Sequence, residues 1–194
     1  MFQSTPIGSG YAGPAVADGR VYVTDRLRDK GTERVLCLAE ATGKVAWTHE
    51  YSCSYKGVDY DSGPRCTPTI HEGKVYALGA MGHLFCLKSA NGEVIWSWDY
   101  VKDFGAKLPS WGIASSPLVD GRRLISLVGG KDGAGVIAFD KDTGKPIWRA
   151  LSEAGHEVHL VTFGRGAPKN GTRERLGRLL ASLGIVPRPR LLSG

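Results

Sequence analysis

Three stretches that end alike decide the fold: Leu36–Trp47 reads LCLAEATGKVAW, Phe85–Trp96 reads FCLKSANGEVIW and Ile137–Trp148 reads IAFDKDTGKPIW. Their tryptophans are 49 and 52 residues apart. Upstream of each lies a second shared block: GPAVADGRVYV, TPTIHEGKVYAL and SPLVDGRRLISL. The prolines of that block, Pro14, Pro68 and Pro117, are 54 and 49 apart, and its glycines, Gly19, Gly73 and Gly121, are 54 and 48 apart. A period near 50 across residues 10–153 marks stacked supersecondary units.

The middle unit is the clearest. Thr67–His71 is a short run closed by the turn Glu72-Gly73. Lys74–Gly79 alternates β-formers, Gly79–Gly82 is a loose turn, His83–Lys88 is a third strand, and Ala90-Asn91-Gly92 turns into a fourth over Glu93–Tyr100. Asn and Gly accept the left-handed backbone that such turns need. Four short antiparallel strands in a 50-residue period describe one blade of a β-propeller. The expected fold is therefore all-β, a partial propeller of about three four-stranded blades with repeats near 10–50, 64–100 and 113–150. Gly43, Gly92 and Gly144 close the last turn of each blade. Trp47, Trp96 and Trp148 follow as large flat residues filling the wedge between diverging neighbouring sheets.

The rest of the composition narrows the classes. The chain has 194 residues, 42% hydrophobic and 23% charged, with 27 glycines in no every-third-residue pattern, so neither a disordered chain nor collagen fits. No apolar run approaches the roughly 18 residues of a membrane-spanning helix. The net charge of +6 is uneven. Residues 155–194 hold seven Lys/Arg against two acidic residues, leaving 18 against 17 in the remainder. The charge thus belongs to the tail, and no specific nucleic-acid partner is expected of the body.

At the level of motifs, A-x-D-x-x-T-G-K-x-x-W resembles the repeat of pyrroloquinoline-quinone (PQQ)-like β-propellers. That family includes the quinoprotein dehydrogenases, the non-enzymatic propeller lipoprotein of outer-membrane protein assembly, and the PQQ-like repeat proteins of planctomycetes. The motif's Asp is kept only as Asp140, with Ala39 and Lys88 at the equivalent places, and Asn91 replaces its Thr in the middle repeat. The resemblance implies a location in the periplasm or otherwise outside the cytoplasm. It also implies, for the enzymes, adjacent cysteines over the cofactor and a Ca²⁺ site of Glu, Asn and Asp. This sequence has no Cys-Cys pair and no evident ligand trio, so no cofactor, no metal and no catalytic residue is expected. The alternative is part of a quinoprotein alcohol or sugar dehydrogenase, with PQQ and Ca²⁺, Arg65 meeting a cofactor carboxylate and Trp111 stacking on its ring.

Cys37 and Cys86 occupy one repeat position, filled by Ala138 in the third unit, which reads as a small buried strand residue. Cys53 and Cys66 lie 13 apart between the first two units, either as a disulfide in an oxidising compartment or as two free thiols. No CxxC, G-x-S-x-G, P-loop or H-E-x-x-H motif occurs, and Gly129–Gly133 reads as a hairpin loop. His49, His71 and His83 are placed at strand ends or turns. The segments Glu50–Pro68 and Asp99–Pro117 join the outermost strand of one blade to the innermost strand of the next, so they arrive at the axial channel. Asp59, Tyr60, Arg65, Lys107 and Trp111 are the candidate binding residues there, for a protein or a polar small molecule. Trp111 takes the related place to Arg65 in the next repeat.

After Arg149 the repeat stops. Residues 154–194 form an atypical basic tail with a strand expected over 157–163 and an amphipathic helix over 173–183. It reads as a basic helix for a membrane, a nucleic acid or a partner, as a cover for the open blade edge, as a disordered tail, or as a shifted reading frame. His156 and His159 within it carry no evident third ligand. The N-terminal MFQSTPIGSGYAG has no basic stretch followed by an apolar one, which leaves a cytosolic protein or a start farther upstream. Closed propellers have four to eight blades. Three blades therefore predict a truncated gene product, or self-association that covers the open edges.

Overall fold

The computed structural model describes residues 5–150. The strand expected over 157–163, the helix over 173–183, the rest of the basic tail and its two histidines lie outside the described residues. Within them, three separate four-stranded antiparallel sheets follow one another, each with its strands in sequence order. Blade 1 comprises β1 (Ala15–Ala17), β2 (Arg20–Leu27), β3 (Thr32–Ala39) and β4 (Val45–Ser52). Blade 2 comprises β5 (Thr69–His71), β6 (Lys74–Leu78), β7 (His83–Lys88) and β8 (Val94–Asp99). Blade 3 comprises β9 (Leu118–Asp120), β10 (Arg123–Leu127), β11 (Val136–Asp140) and β12 (Pro146–Ala150). The short strands β1, β5 and β9 neighbour one another, as innermost strands of a propeller must. The structure is a partial propeller of three blades.

Each blade repeats its irregularity as well as its strands. The outer pair of every sheet shifts register at the equivalent place, after Cys37, Cys86 and Ala138. Those three residues are fully buried, which leaves room only for small side chains at this point. The bulge re-aims the outer strand so that its tryptophan faces the next blade.

Two details differ from the sequence reading. First, the glycines of the β1–β2, β5–β6 and β9–β10 turns are not equivalent. Asp18-Gly19 and Glu72-Gly73 both have positive φ at each turn residue, whereas the third turn is Gly121-Arg122, with positive φ at Gly121 alone. Ala17 pairs with Arg20, His71 with Lys74 and Asp120 with Arg123, so Gly121 stands where Asp18 and Glu72 do. Glycine moves to the first turn position because one left-handed residue suffices for the alternative hairpin turn. Second, the segment after β8 opens with a helical turn, α1 (Tyr100–Phe104). Asp99 caps it by accepting from the N–H groups of Val101 and Lys102, and Gly105 ends it at φ 62°.

The core lies between blades. Tyr22, Cys37 and Trp47 of blade 1 pack with Val75, Ala77 and Leu87 of blade 2. Tyr76, Leu84 and Tyr100 pack in turn with Leu124, Ile137 and Phe139 of blade 3. The tryptophans do more than fill a wedge. The Trp47 ring lies on the turn of blade 2, where a Cβ added at Gly92 would come within 2.6 Å of it, and Trp47 Nε1–H donates to Ser89 O at 2.8 Å. Trp96 repeats this on blade 3, where a Cβ added at Gly144 would come within 2.6 Å of its ring and Lys141 O accepts from Nε1–H at 3.2 Å. Trp98 adds a donor to Gly144 O at 2.8 Å.

Candidate functional site

Strand direction sorts the loops into two ends. The T-G-K turns and the β1–β2 type hairpins lie at one end of the blades. The β2–β3 type turns and the inter-blade segments lie at the other, here called the linker end. All five candidate binding residues belong to the linker end.

Asp59 N–H donates to Ser110 O at 2.6 Å, which ties the first inter-blade segment to the second. The next residue on each side of that bond is an exposed aromatic, Tyr60 at 59% and Trp111 at 58% exposure. Arg65 joins the same group from below. Its guanidinium donates to the carbonyls of Gly63 and Tyr60, and it lies 5.5 Å from the centroid of Tyr11 and 5.8 Å from that of Tyr55. Tyr11, 58% exposed, is anchored by its N–H to Pro64 O at 2.8 Å. Tyr11, Arg65, Tyr60 and Trp111 thus lie on segments tied together at the linker end, and these four residues are here called the ridge. Asp59 is exposed beside it. Lys107 is exposed too, but its N–H bonds Gly129 O at 3.3 Å in blade 3, and no hydrogen bond among the described residues joins its side chain to the ridge.

Tyr11 is absent from the sequence reading, yet its signal is there. It stands three residues before Pro14, as Arg65 stands three before Pro68. The position equivalent to Arg65 in the next repeat is therefore Ala114, and Trp111, six before Pro117, is not its counterpart. Trp111 reaches the ridge because Gly112, at φ 75°, sits against Ala80 O, and Ile113 N–H bonds the same carbonyl at 2.8 Å.

Beneath the ridge lies a buried polar cluster that sequence reasoning missed. Glu33, fully buried at the start of β3, accepts hydrogen bonds from the hydroxyls of Tyr51 and Tyr55 and from Ala80 N–H at 3.3 Å. These three donors come from blade 1, the inter-blade segment and blade 2. Arg26, opposite Glu33 in the β2–β3 ladder, stacks its guanidinium 3.8 Å over Tyr55 and bonds Asp61 O. On the other face of the same ladder Arg34 grips Asp25 through two hydrogen bonds of 2.9 and 2.5 Å. Burial, then the charge of Glu33, pushes both tyrosine hydroxyls above their ordinary range. The cluster is a pin between blades in which Glu33 takes up the Tyr51, Tyr55 and Ala80 donors.

The cysteines are four separate, buried, free thiols. Cys53 faces His83 Nδ1 at 3.9 Å, while Cys66 donates to Ile113 O at 3.5 Å. Burial pushes the Cys53, Cys66 and Cys86 thiols up to about 12. Thiols held protonated in this way are poor nucleophiles. His49 sits inside β4 rather than at a strand end, edge-on to Phe85 at 4.6 Å, and burial lowers its pKa.

The linker-end residues are a poor match for a quinone and Ca²⁺. Calcium takes six to eight oxygen ligands. Among the described residues no three His, Cys, Asp or Glu are grouped to hold a metal. Asp61 is already gripped by Arg28 at 2.8 Å through both oxygens, and Arg65 is committed to loop carbonyls. No helix of the described residues is long and apolar enough to cross a membrane.

The family described as outer membrane protein assembly factor BamB matches residues 3–99 and, in an overlapping register, 31–172. The chain belongs to this PQQ-like propeller family. Among its relatives are the dehydrogenase subunits of quinone alcohol dehydrogenases from Komagataeibacter europaeus and Gluconacetobacter polyoxogenes. Each is 30% identical over 147 residues, which cover 70% of this chain and 19% of the relative. The chain thus spans about a fifth of the length of the curated relatives it matches. Two solved propellers superpose on it. BamB from Moraxella catarrhalis does so with a TM-score of 0.52 at 23% identity, over 76% of this chain and 39% of that one. Quinohemoprotein alcohol dehydrogenase from Comamonas testosteroni gives 0.55 at 25% identity, over 74% and 21%. The PQQ-like repeat therefore accounts for both sets of neighbours.

Proposed function

We propose that this PQQ-like propeller segment is a non-enzymatic binding or scaffolding module, acting outside the cytoplasm, whose partner docks on the linker-end ridge. The observation that carries the reading is the Asp59–Ser110 hydrogen bond, which ties together the two segments that carry exposed Tyr60 and Trp111, with Arg65 bonded to Tyr60 O and 5.5 Å from the Tyr11 ring. Exposed aromatics around a held arginine are the composition of binding hot spots. The ionisable groups with displaced titration at this end are buried and hydrogen-bonded, which suits a rigid support. A protein segment or another polar ligand with a flat or carboxylate group matches such a ridge. The family description, an assembly factor, points the same way.

A photo-reactive residue placed at position 60 or 111 tests this directly in cells that export the chain. One discrete adduct from both positions, absent from position 44 at the opposite end of the blades and lost on Arg65→Ala, is the expected result. Equal labelling from all three positions, or none at 60 and 111, would overturn it.

The second reading, a portion of a quinoprotein alcohol dehydrogenase, is favoured by the identity to the quinone alcohol dehydrogenase subunits. It requires quinone and metal ligands from outside the described residues, and no reaction step is assigned here.

A further inference from the structure

Ser9 and Arg26 form an antiparallel bridge, each N–H donating to the other's carbonyl, at 3.1 and 2.8 Å. Their side chains therefore stand side by side on one face. Arg26 lies opposite Glu33 in the next ladder, and Glu33 lies opposite Tyr51. The row Ser9, Arg26, Glu33, Tyr51 is the face of blade 1 turned to blade 2, because Glu33 in that row accepts from Ala80 N–H.

Two adjacent atoms of this row are orphaned. Ser9 Oγ and Arg26 Nε are buried and have no hydrogen-bond partner among the described residues. A buried polar group left so costs about 1–3 kcal/mol. The rest of Arg26 is held firmly. Its side chain is 9% exposed, its guanidinium stacks 3.8 Å over Tyr55, and Nη1 donates to Asp61 O. No hydrogen bond among the described residues engages Nη2. The unused edge is thus Nε with Nη2, the pair of parallel donors that matches a carboxylate. The other face of the same ladder shows that match made: Arg34 grips Asp25 through its own Nε and Nη2, at 2.9 and 2.5 Å. Arg26 presents the same fork with no carboxylate of the described residues on it. Ser9 and Arg26 line a cleft of about 370 Å³ together with Leu27, Arg28, Asp29 and Lys30. Arg28 is paired with Asp61 at 2.8 Å. Arg26, Arg28 and Lys30 against Asp29 and Asp61 leave the cleft one positive charge in excess.

We infer that this cleft binds a carboxylate, held on the Nε–Nη2 edge of Arg26 with the Ser9 hydroxyl donating to one oxygen and Lys30 adding charge at the rim. Such a ligand partners both orphaned groups at once and balances the excess charge. The arginine that receives it is already fixed by Tyr55 and Asp61, so little side-chain entropy is lost on binding. The carboxylate belongs either to a small free acid or to an acidic side chain of a polypeptide; the chemistry at Arg26 is the same. The site uses none of the four ridge residues and stands independently of the ridge's role.

The test is a titration of the full chain followed by the NMR resonance of the Arg26 Nε–H group, assigned by its loss in Arg26→Lys. The probes are sodium succinate and, separately, a pentapeptide with one central glutamate, acetylated and amidated at its ends. The glutamine version of the peptide and sodium chloride at matched ionic strength are the controls. A saturable shift with a carboxylate probe, absent from both controls, is the expected result, and the probe that saturates tells the source of the carboxylate. Ser9→Ala is expected to weaken that binding about tenfold. Lys30→Gln, which breaks no hydrogen bond among the described residues, is expected to weaken it about threefold. No shift with either carboxylate probe would overturn the inference, and so would an equal shift with chloride. Saturable binding that neither substitution weakens would place the ligand elsewhere and overturn it too.

Discussion

The indole of Trp47 rests on Gly92, the turn glycine of the following blade, so closely that a methyl group at that position would lie 2.6 Å from the ring. This contact explains why the sequence repeats a glycine and a tryptophan together: the glycine of one blade receives the tryptophan of the blade before it. Gly92→Ala is expected to destabilise the protein by about 3 kcal/mol, combining backbone strain with displacement of the ring. Gly19, at φ 71° against 76° for Gly92, has nothing within 4 Å of an added Cβ, so Gly19→Ala isolates strain and is expected to cost about 1 kcal/mol. Urea unfolding of the two variants measures the difference. Equal costs would show that the tryptophan contact is unimportant.

Glu33 is expected to be a structural pin. Glu33→Leu strands the hydroxyls of Tyr51 and Tyr55 and the N–H of Ala80, and should cost about 3 kcal/mol. Tyr51→Phe removes one donor and should cost about 1 kcal/mol. Denaturant midpoints check both. In the native protein the Ala80 amide should also exchange faster in Glu33→Leu than in the wild type.

That cluster marks where the sequence was hardest to read. The three blades are legible because glycine, proline and tryptophan recur at fixed intervals, and each performs one local task. The run Thr24–Arg34 hides the facing ends of two eight-residue strands under a polar exterior, because its charges pair across the ladder rather than with solvent. Asp25 with Arg34, and Arg26 opposite Glu33, are complementary in the order a hairpin requires, and that is the signal available beforehand. The helix at Tyr100–Phe104 was likewise signalled by Asp99 before it and Gly105 after it. The ridge was legible only residue by residue. Its assembly depends on a backbone bond between two segments more than 50 residues apart, which no local pattern encodes.

The thiols give a third test. Burial holds Cys53, Cys66 and Cys86 at about 12 and raises Cys37 as well. An aromatic disulfide reagent at pH 8 is expected to find no reactive thiol in the native protein within minutes, and all four after unfolding. Rapid native labelling would contradict the packing described here.

Asp140 and His49 both contribute to the pH dependence, in the same direction. Arg122, with the N–H groups of Thr143 and Asp142, holds the Asp140 carboxyl at about 2. Its folded pKa lies below the unfolded value, so its stabilisation is present above about pH 4 and disappears as pH falls through 2. His49 is lowered by burial, so the folded state favours the neutral ring. Stability from this source is full above about pH 6.5 and declines as acid protonates the unfolded chain first. His49→Phe should flatten the decline just below pH 6.5, and Asp140→Asn the one between pH 4 and pH 2, in midpoints measured across pH.

The measurement that bears most directly on a binding role, as opposed to quinone chemistry, is a titration of the full chain with pyrroloquinoline quinone and Ca²⁺. It would be followed by the quinone's absorbance, by melting temperature, and by dye reduction with a primary alcohol. A non-enzymatic module predicts no saturable change and no turnover. Saturable binding with alcohol-dependent dye reduction, both lost on Arg65→Ala, would contradict it.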